Sequence, residues 1–301
     1  MASITKMSLP SAVYHLPLVV IVGPTASGKS SLAIEVAKKF SGEIICADSR
    51  SVYKGMDIAT AKPTISDQMT VKHWGLDLVE PNERFSVSDF KKYADKKIDE
   101  IKKRGHVPIL VGGTGLYIDA VLFDYKFGTA VNEQLRTKLQ HMSLEELHNY
   151  CIESSINLPD NYKNKRYVIR SIENADVKKQ RNIIPKHNSI IVGITTDKIS
   201  LRERIKERIE QQLENDVIDE AITLSNIYGW DYESMKSNIY QSIRLYVNGD
   251  ISFDELRNKS VISDWRLAKR QMTWLKRNSF IQWLGIEDAD GYLTEQLAIY
   301  K

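Results

Sequence analysis

The sequence predicts an α/β protein: a parallel sheet flanked by helices, with a small helical insertion. Three observations lead there. The apolar runs Leu18-Val19-Val20-Ile21-Val22 and Val107-Pro108-Ile109-Leu110-Val111 each run into a glycine-rich turn followed by helical spacing. A third run, Glu43-Ile44-Ile45-Cys46-Ala47, ends in Asp48-Ser49. Continuous apolar runs of this length are what strands buried on both faces require. Between Ala130 and Lys186 no such run occurs, helical spacing dominates and basic residues accumulate.

The first turn is the most informative stretch. Gly23-Pro24-Thr25-Ala26-Ser27-Gly28-Lys29-Ser30 lies between the strand at 18–22 and a helix through Ser31–Phe40. Strand, glycine loop and helix are the context of a P-loop. Its backbone N–H groups and the helix N-terminus favour an anion. Lys29 reaches a terminal phosphate, and the Ser30 hydroxyl can join a Mg²⁺ shell. The expected architecture is therefore a P-loop NTPase-like parallel sheet.

The remaining elements follow in order. Asp48 closes a buried strand at the edge where ligands of open α/β sheets sit, so it is expected to face the P-loop. A turn or helix cap is the alternative for an Asp-Ser pair. Arg50 to Pro63 is polar and irregular, and Trp74–Val79 suggests a third strand. Ser86-Val87-Ser88-Asp89 resembles a capping box opening a helix to about Arg104. Gly112-Gly113-Thr114-Gly115 follows the strand at 107–111, with a helix from near Leu116; it brings Thr114 to the same sheet edge. Ser189–Thr195 restores a strand, and Leu201–Leu224 reads as one long helix with Leu201, Ile205, Ile209 and Leu213 on one face. Arg208 has no acid three or four positions away, so it is either an anion contact or simply solvated. Arg257–Arg277 holds seven Lys or Arg and one acid, interleaved with Trp265 and Trp274. That pattern suits nucleic-acid phosphates and bases, or a surface helix with its tryptophans in the core. The expected organisation is a tail over 1–17, a core over 18–128 and 188–301, and a helical insertion over 129–187.

Composition narrows the classes. The chain has 301 residues, 42% hydrophobic and 27% charged, as in ordinary globular proteins. Net charge is only +3, so any basic surface is local. Cys46 and Cys151 form no metal-ligand spacing or disulfide framework, and six histidines form no zinc motif. No apolar run approaches membrane-spanning length, so no membrane partner is expected. Residues 1–17 lack the features of a secretion signal, and a cytoplasmic protein is expected.

Taken together, these stretches resemble the tRNA dimethylallyltransferases, also called tRNA isopentenyltransferases. The resemblance rests on residues 23–30, Asp48-Ser49-x-x-Val52-Tyr53, Met56 to Pro63 and Phe85 to Phe90. It continues through Pro108 to Tyr117, Arg204-Ile205-x-x-Arg208 and Ala268-Lys269-Arg270-Gln271-Met272-Thr273-Trp274. The chain departs from the family pattern at Arg50-Ser51, at Lys163–Tyr167 and at Ile239–Ser242. The resemblance implies transfer of a dimethylallyl group from dimethylallyl diphosphate to the N6 amine of the adenosine 3′ of the anticodon in tRNA. It implies diphosphate held by residues 23–30, with Lys29, Arg208 and Mg²⁺ near Ser30 stabilising the leaving group. Thr114 would donate to the bridging oxygen and Asp48 would accept the amine proton. Asp48, Ser49, Arg50, Ser51, Arg166, Arg170, Lys269, Arg270, Gln271 and Trp274 would contact tRNA, and the protein is expected to act as a monomer. A P-loop kinase of a small molecule, and prenyl transfer to free adenosine nucleotides, are the alternatives.

Overall fold

In a computed structural model, residues 16–127, 132–175, 181–236 and 238–300 are described. The expected tail up to His15, and Ala130, Lys178 and Lys179 of the insertion, lie outside them. The chain divides into two compact units. One comprises the residues up to Leu122 and from Pro185 onward; the other is Phe123–Ile184.

The larger unit is built on six parallel strands: β1 (Leu18–Val22), β2 (Gly42–Cys46), β3 (His73–Trp74), β4 (Val107–Gly112), β5 (Ser189–Ile194) and β6 (Gln282–Leu284). Their order is β3-β2-β4-β1-β5-β6. β1 is central, paired with β4 and β5, and all five of its side chains are fully buried, as its unbroken apolar run requires. The unit's helices are α1 (Lys29–Phe40), α2 (Ile65–Thr70), α3 (Val87–Lys103) and α4 (Gly115–Leu122) before the smaller unit. The smaller unit holds α5 (Glu133–His141), α6 (Leu144–Glu153) and α7 (Lys165–Glu173). The larger unit then resumes with α8 (Lys198–Glu214), α9 (Val217–Tyr228), α10 (Asn238–Val247), α11 (Phe253–Leu275) and α12 (Ile286–Ala298).

Two cores position the site. Leu32, Ala33 and Val36 of α1 and Leu293 of α12 cover one sheet face, against Ile44, Ile109 and Val192. Beyond the sheet, Val52 and Met56 from the segment after β2 pack with Ile209, Val217, Met235, Tyr240 and Leu256. The smaller unit has its own core of Leu139, Leu147, Cys151, Val168 and Ile172. There Arg136 donates twice to the Glu173 carboxylate, and Arg170 donates to it once.

Local chemistry explains the agreements and the differences. The Ser86 capping box forms as expected, with the Asp89 carboxylate accepting the Ser86 N–H at 2.9 Å. The long helix expected over Leu201–Leu224 is two helices. The chain breaks at Asp216, which takes φ 62°, a conformation Asp tolerates better than most residues. The break lets Val217, Ala221 and Leu224 turn into the second core. The expected strand over Trp74–Val79 shrinks to β3; positive φ at Gly75 and Asp77 turns the chain, and Val79 forms only a lone bridge with Tyr53. Sequence reading passed over β6, although Ile281-Gln282-Trp283-Leu284 before Gly285 carries β-prone residues ahead of a breaker.

The segment after β2 is held by side chains from α8, α9 and α10. The Glu220 carboxylate accepts the N–H groups of Asp57, Ile58 and Ala59 at 2.8, 2.6 and 3.0 Å, and the Tyr240 hydroxyl donates to it at 2.6 Å. Gln212 donates to the carbonyls of Ile58 and Ala59. Lys62, nearly buried, pairs with Asp57 and Asp77 and donates to the Tyr53 carbonyl. Glu220→Ala leaves three amides and a buried hydroxyl without their acceptor. It is expected to lower stability by about 2–3 kcal/mol, read by urea unfolding, with Glu220→Gln losing less.

Candidate active site

The site grows from the C-terminal edge of the sheet. β1 runs into the glycine loop, and α1 begins at Lys29 after Gly28, which sits at φ 87°. That conformation favours glycine. α1 has no side-chain cap, so its first amides and partial positive charge open onto a cavity of about 500 Å³. Lys29 Nζ donates to the Pro24 carbonyl at 3.1 Å. Burial lowers its pKa, the neighbouring Asp48 carboxylate raises it and Arg208 lowers it again; the balance is about 8.

Asp48 extends the face of β2 that carries Ile44 and Cys46, because strand side chains alternate. All three line the cavity. Burial, with Asp48 adding, pushes the Cys46 thiol up to about 12, so it stays protonated and inert. Asp48 both lines the cavity and caps a turn. Its Oδ1 accepts the N–H groups of Arg50 at 2.7 Å and Ser51 at 3.3 Å, which is a turn cap. That cap fixes the carboxylate, while Oδ2 accepts no hydrogen bond from the described residues. Thr114 Oγ1 accepts the Ser49 N–H at 3.1 Å, which leaves its own hydrogen to donate. The Arg50 guanidinium donates to the Glu233 carbonyl.

Arg208 reaches the loop from α8 and donates to Thr25 Oγ1. Its Nε and the Ser27 hydroxyl are buried without a hydrogen-bond partner among the described residues. Buried polar atoms are normally satisfied, and an anion in the cavity would satisfy these. From α11, Gln271 Oε1 accepts the Thr25 N–H at 2.8 Å.

The cavity thus collects Thr25 through Ser30, Asp48, Ser49, Arg50, Ser51, Thr114, Arg208, Arg270 and Gln271. Gly23, Pro24, Lys269 and Trp274 are not in its wall, and Arg204 is exposed on α8. Trp274 is half-buried and donates its indole N–H to Asp119 at 2.7 Å; Trp265 packs with Leu201, Ile205 and Ala268. Both tryptophans therefore serve packing. Arg166 and Arg170 belong to the smaller unit. Sequence reading missed Gln212, Ile239, Asp264 and Leu267 in the wall. Asp264 had a signal, as the single acid in the basic stretch 257–277.

Only two carboxylates, Asp48 and Asp264, line the cavity, and no group of three His, Cys, Asp or Glu suited to a metal occurs among the described residues. The exposed Ser30 hydroxyl on the first turn of α1 is also in the wall. This donor set fits a Mg²⁺ whose shell is completed by substrate phosphates and water, and does not fit a cage built by protein alone.

A glycine loop at the central strand, with a lysine and an arginine converging on it, defines a P-loop-like α/β protein. The IPP transferase family model matches residues 51–278. A tRNA dimethylallyltransferase of Acetivibrio thermocellus is 38% identical over 303 residues, covering 94% of this chain and 96% of the relative. The tRNA isopentenylpyrophosphate transferase of Bacillus halodurans superposes with TM-score 0.72 at 32% identity, covering 94% of this chain and 97% of that one. A eukaryotic dimethylallyltransferase acting on tRNA shares the fold, with TM-score 0.79 at 22% identity, covering 94% of this chain and 78% of that one. The chain belongs to the IPP transferase family. No helix among the described residues is long and apolar enough to cross a membrane.

The Lys29 ammonium gives a pH signature. Without ligand it loses its proton near pH 8; an adjacent diphosphate favours the charged form and raises that value. Diphosphate binding at about pH 8.5 is expected to take up a fraction of a proton through Lys29, and at about pH 6.5 none. Titration calorimetry in buffers of different ionisation enthalpy reads this uptake, and Lys29→Met is expected to lose it.

Proposed function

We propose that this chain transfers a dimethylallyl group from dimethylallyl diphosphate to the N6 amine of the adenosine 3′ of the anticodon in tRNA. The observation that carries the reading is the meeting, in one cavity, of an anion cradle with a fixed carboxylate. Lys29 and Arg208 supply the cradle's charge, and Asp48 faces them. A kinase reading accounts for the cradle but not for the family to which the chain belongs.

The loop amides and Lys29 bind the diphosphate at α1. Arg208 turns its unpartnered Nε to the charge that develops as the C1–O bond breaks. Thr114 donates its free hydrogen to the bridging oxygen. The N6 lone pair attacks C1, diphosphate leaves with the bonding pair, and Asp48 Oδ2 takes the N6 proton. Mg²⁺ beside Ser30, when bound, adds neutralisation of diphosphate charge. The adenine must leave its stack to reach the cavity, so the anticodon loop is splayed and the base flipped. Lys269 and Arg270, both exposed on α11, grip phosphates of the RNA. The protein acts as a cytoplasmic monomer in this reading.

Incubation with dimethylallyl diphosphate and an anticodon stem-loop, followed by nucleoside mass analysis, tests the reaction. Gain of one C5H8 unit on the target adenosine is expected; equal efficiency on adenosine monophosphate would favour free-nucleotide transfer. Asp48→Asn is expected to keep donor affinity and lower the chemical rate by about a hundredfold or more in single turnover. Changing Lys269, which is outside the cavity wall, to alanine is expected to raise KM for tRNA, weaken its salt dependence and leave donor binding nearly intact.

A further inference from the structure

Neighbouring positions on α11 point to different tasks. Lys269 and Arg270 are exposed, whereas Gln271 turns inward to accept the Thr25 N–H, 246 positions away in the chain. The Gln271 amide nitrogen lies only 2.3 Å from where a Cβ on Gly113 would stand, and the Trp274 ring only 2.1 Å from a Cβ on Gly115. A larger residue at position 113 displaces the Gln271 amide, and one at position 115 collides with the Trp274 ring. The turn 112–115 is therefore a socket for this helix, and the Trp274 bond to Asp119 of α4 pins it there.

Thr25 is held from two sides, its N–H by Gln271 and its hydroxyl by Arg208. An amide already bonded to a side chain does not turn to phosphate. It holds instead the curvature of the loop whose following residues, Ala26 to Ser30, line the cavity. We propose that Gln271 is a positioning residue that couples the two substrates. Seating of α11 in the glycine socket holds the diphosphate cradle in its binding shape, so RNA gripped by Lys269 and Arg270 and diphosphate on the loop strengthen each other. The coupling rests on the proposed function; the brace on Thr25 does not. By linkage, the factor is the same in both directions.

The test measures binding of inorganic diphosphate and of an anticodon stem-loop, each alone and in the presence of the other, by titration calorimetry. In the wild type each is expected to tighten the other about fivefold or more. Gln271→Met, which keeps length and loses the acceptor, is expected to weaken diphosphate about tenfold. The same variant should leave the stem-loop alone unchanged and bring the coupling factor to about one. Gly113→Ala, which displaces Gln271 without altering it, is expected to give the same pattern, with thermal unfolding run on both variants to confirm a folded chain. Weakened stem-loop binding with unchanged diphosphate affinity in Gln271→Met would mean that Gln271 touches RNA directly, and overturns the proposal. So does a wild type that binds both ligands independently. A wild type that binds diphosphate but no stem-loop overturns the RNA reading and the coupling with it.

Discussion

Keeping a lysine charge inside a protein cleft is the constraint on which this site depends. Lys29 is buried enough to bring its pKa to about 8, and a second cation, Arg208, stands near it. Burial is the larger penalty on the lysine charge; the nearby Asp48 carboxylate outweighs the repulsion from Arg208 but does not offset the desolvation. The surroundings add further positive ends: the N-terminus of α1, the Thr114 hydroxyl and the loop amides. The arrangement is preorganised for an anion at the cost of strain in its absence. Ala26 at φ 60° and the orphaned Nε of Arg208 are two local signs of it.

That constraint also explains the division of labour between the loops at the sheet edge. β4 lies between β1 and β2, so its turn must pass between the lysine and the carboxylate. Thr114, just past that turn, holds Ser49 in place, while Gly113 and Gly115 receive a helix. A glycine turn after a strand is here a packing surface for α11 and not a second phosphate loop. The segment 57–59 is likewise held by the internal anion Glu220, which occupies the amides that a ligand would otherwise take.

What the sequence made legible was local. Unbroken apolar runs marked β1, β2, β4 and β5, and Ser86 with Asp89 marked the start of α3, because burial and capping act over a few residues. The missing acidic partner of Arg208 was a local signal too, and the structure brings that side chain to the loop. Gln212 carried no comparable mark, since it meets its neighbours only after α8 has docked; Asp264 stood out as a lone acid and Gln271 within the Ala268–Trp274 stretch, but nothing local showed that they line the cavity. The tryptophans of α11 left two readings open in the sequence; docking of the helix packs Trp265 and ties Trp274 to Asp119, contacts that no local pattern could mark. Asp216 and the three-residue β6 show the remaining limit: one backbone torsion and one short edge strand leave little periodicity to read.

The span between Thr25 and Gln271 has a consequence for how the protein is made. At about 5–20 residues per second, a ribosome needs on the order of ten to fifty seconds to travel from one to the other. Throughout that interval the glycine loop exists without the side chain that braces it. Contacts of such sequence separation are also slow to close once both partners are present. The phosphate cradle is thus among the last features of the nascent chain to mature, and premature capture of a cellular phosphate by a half-made protein is disfavoured by the order of synthesis itself.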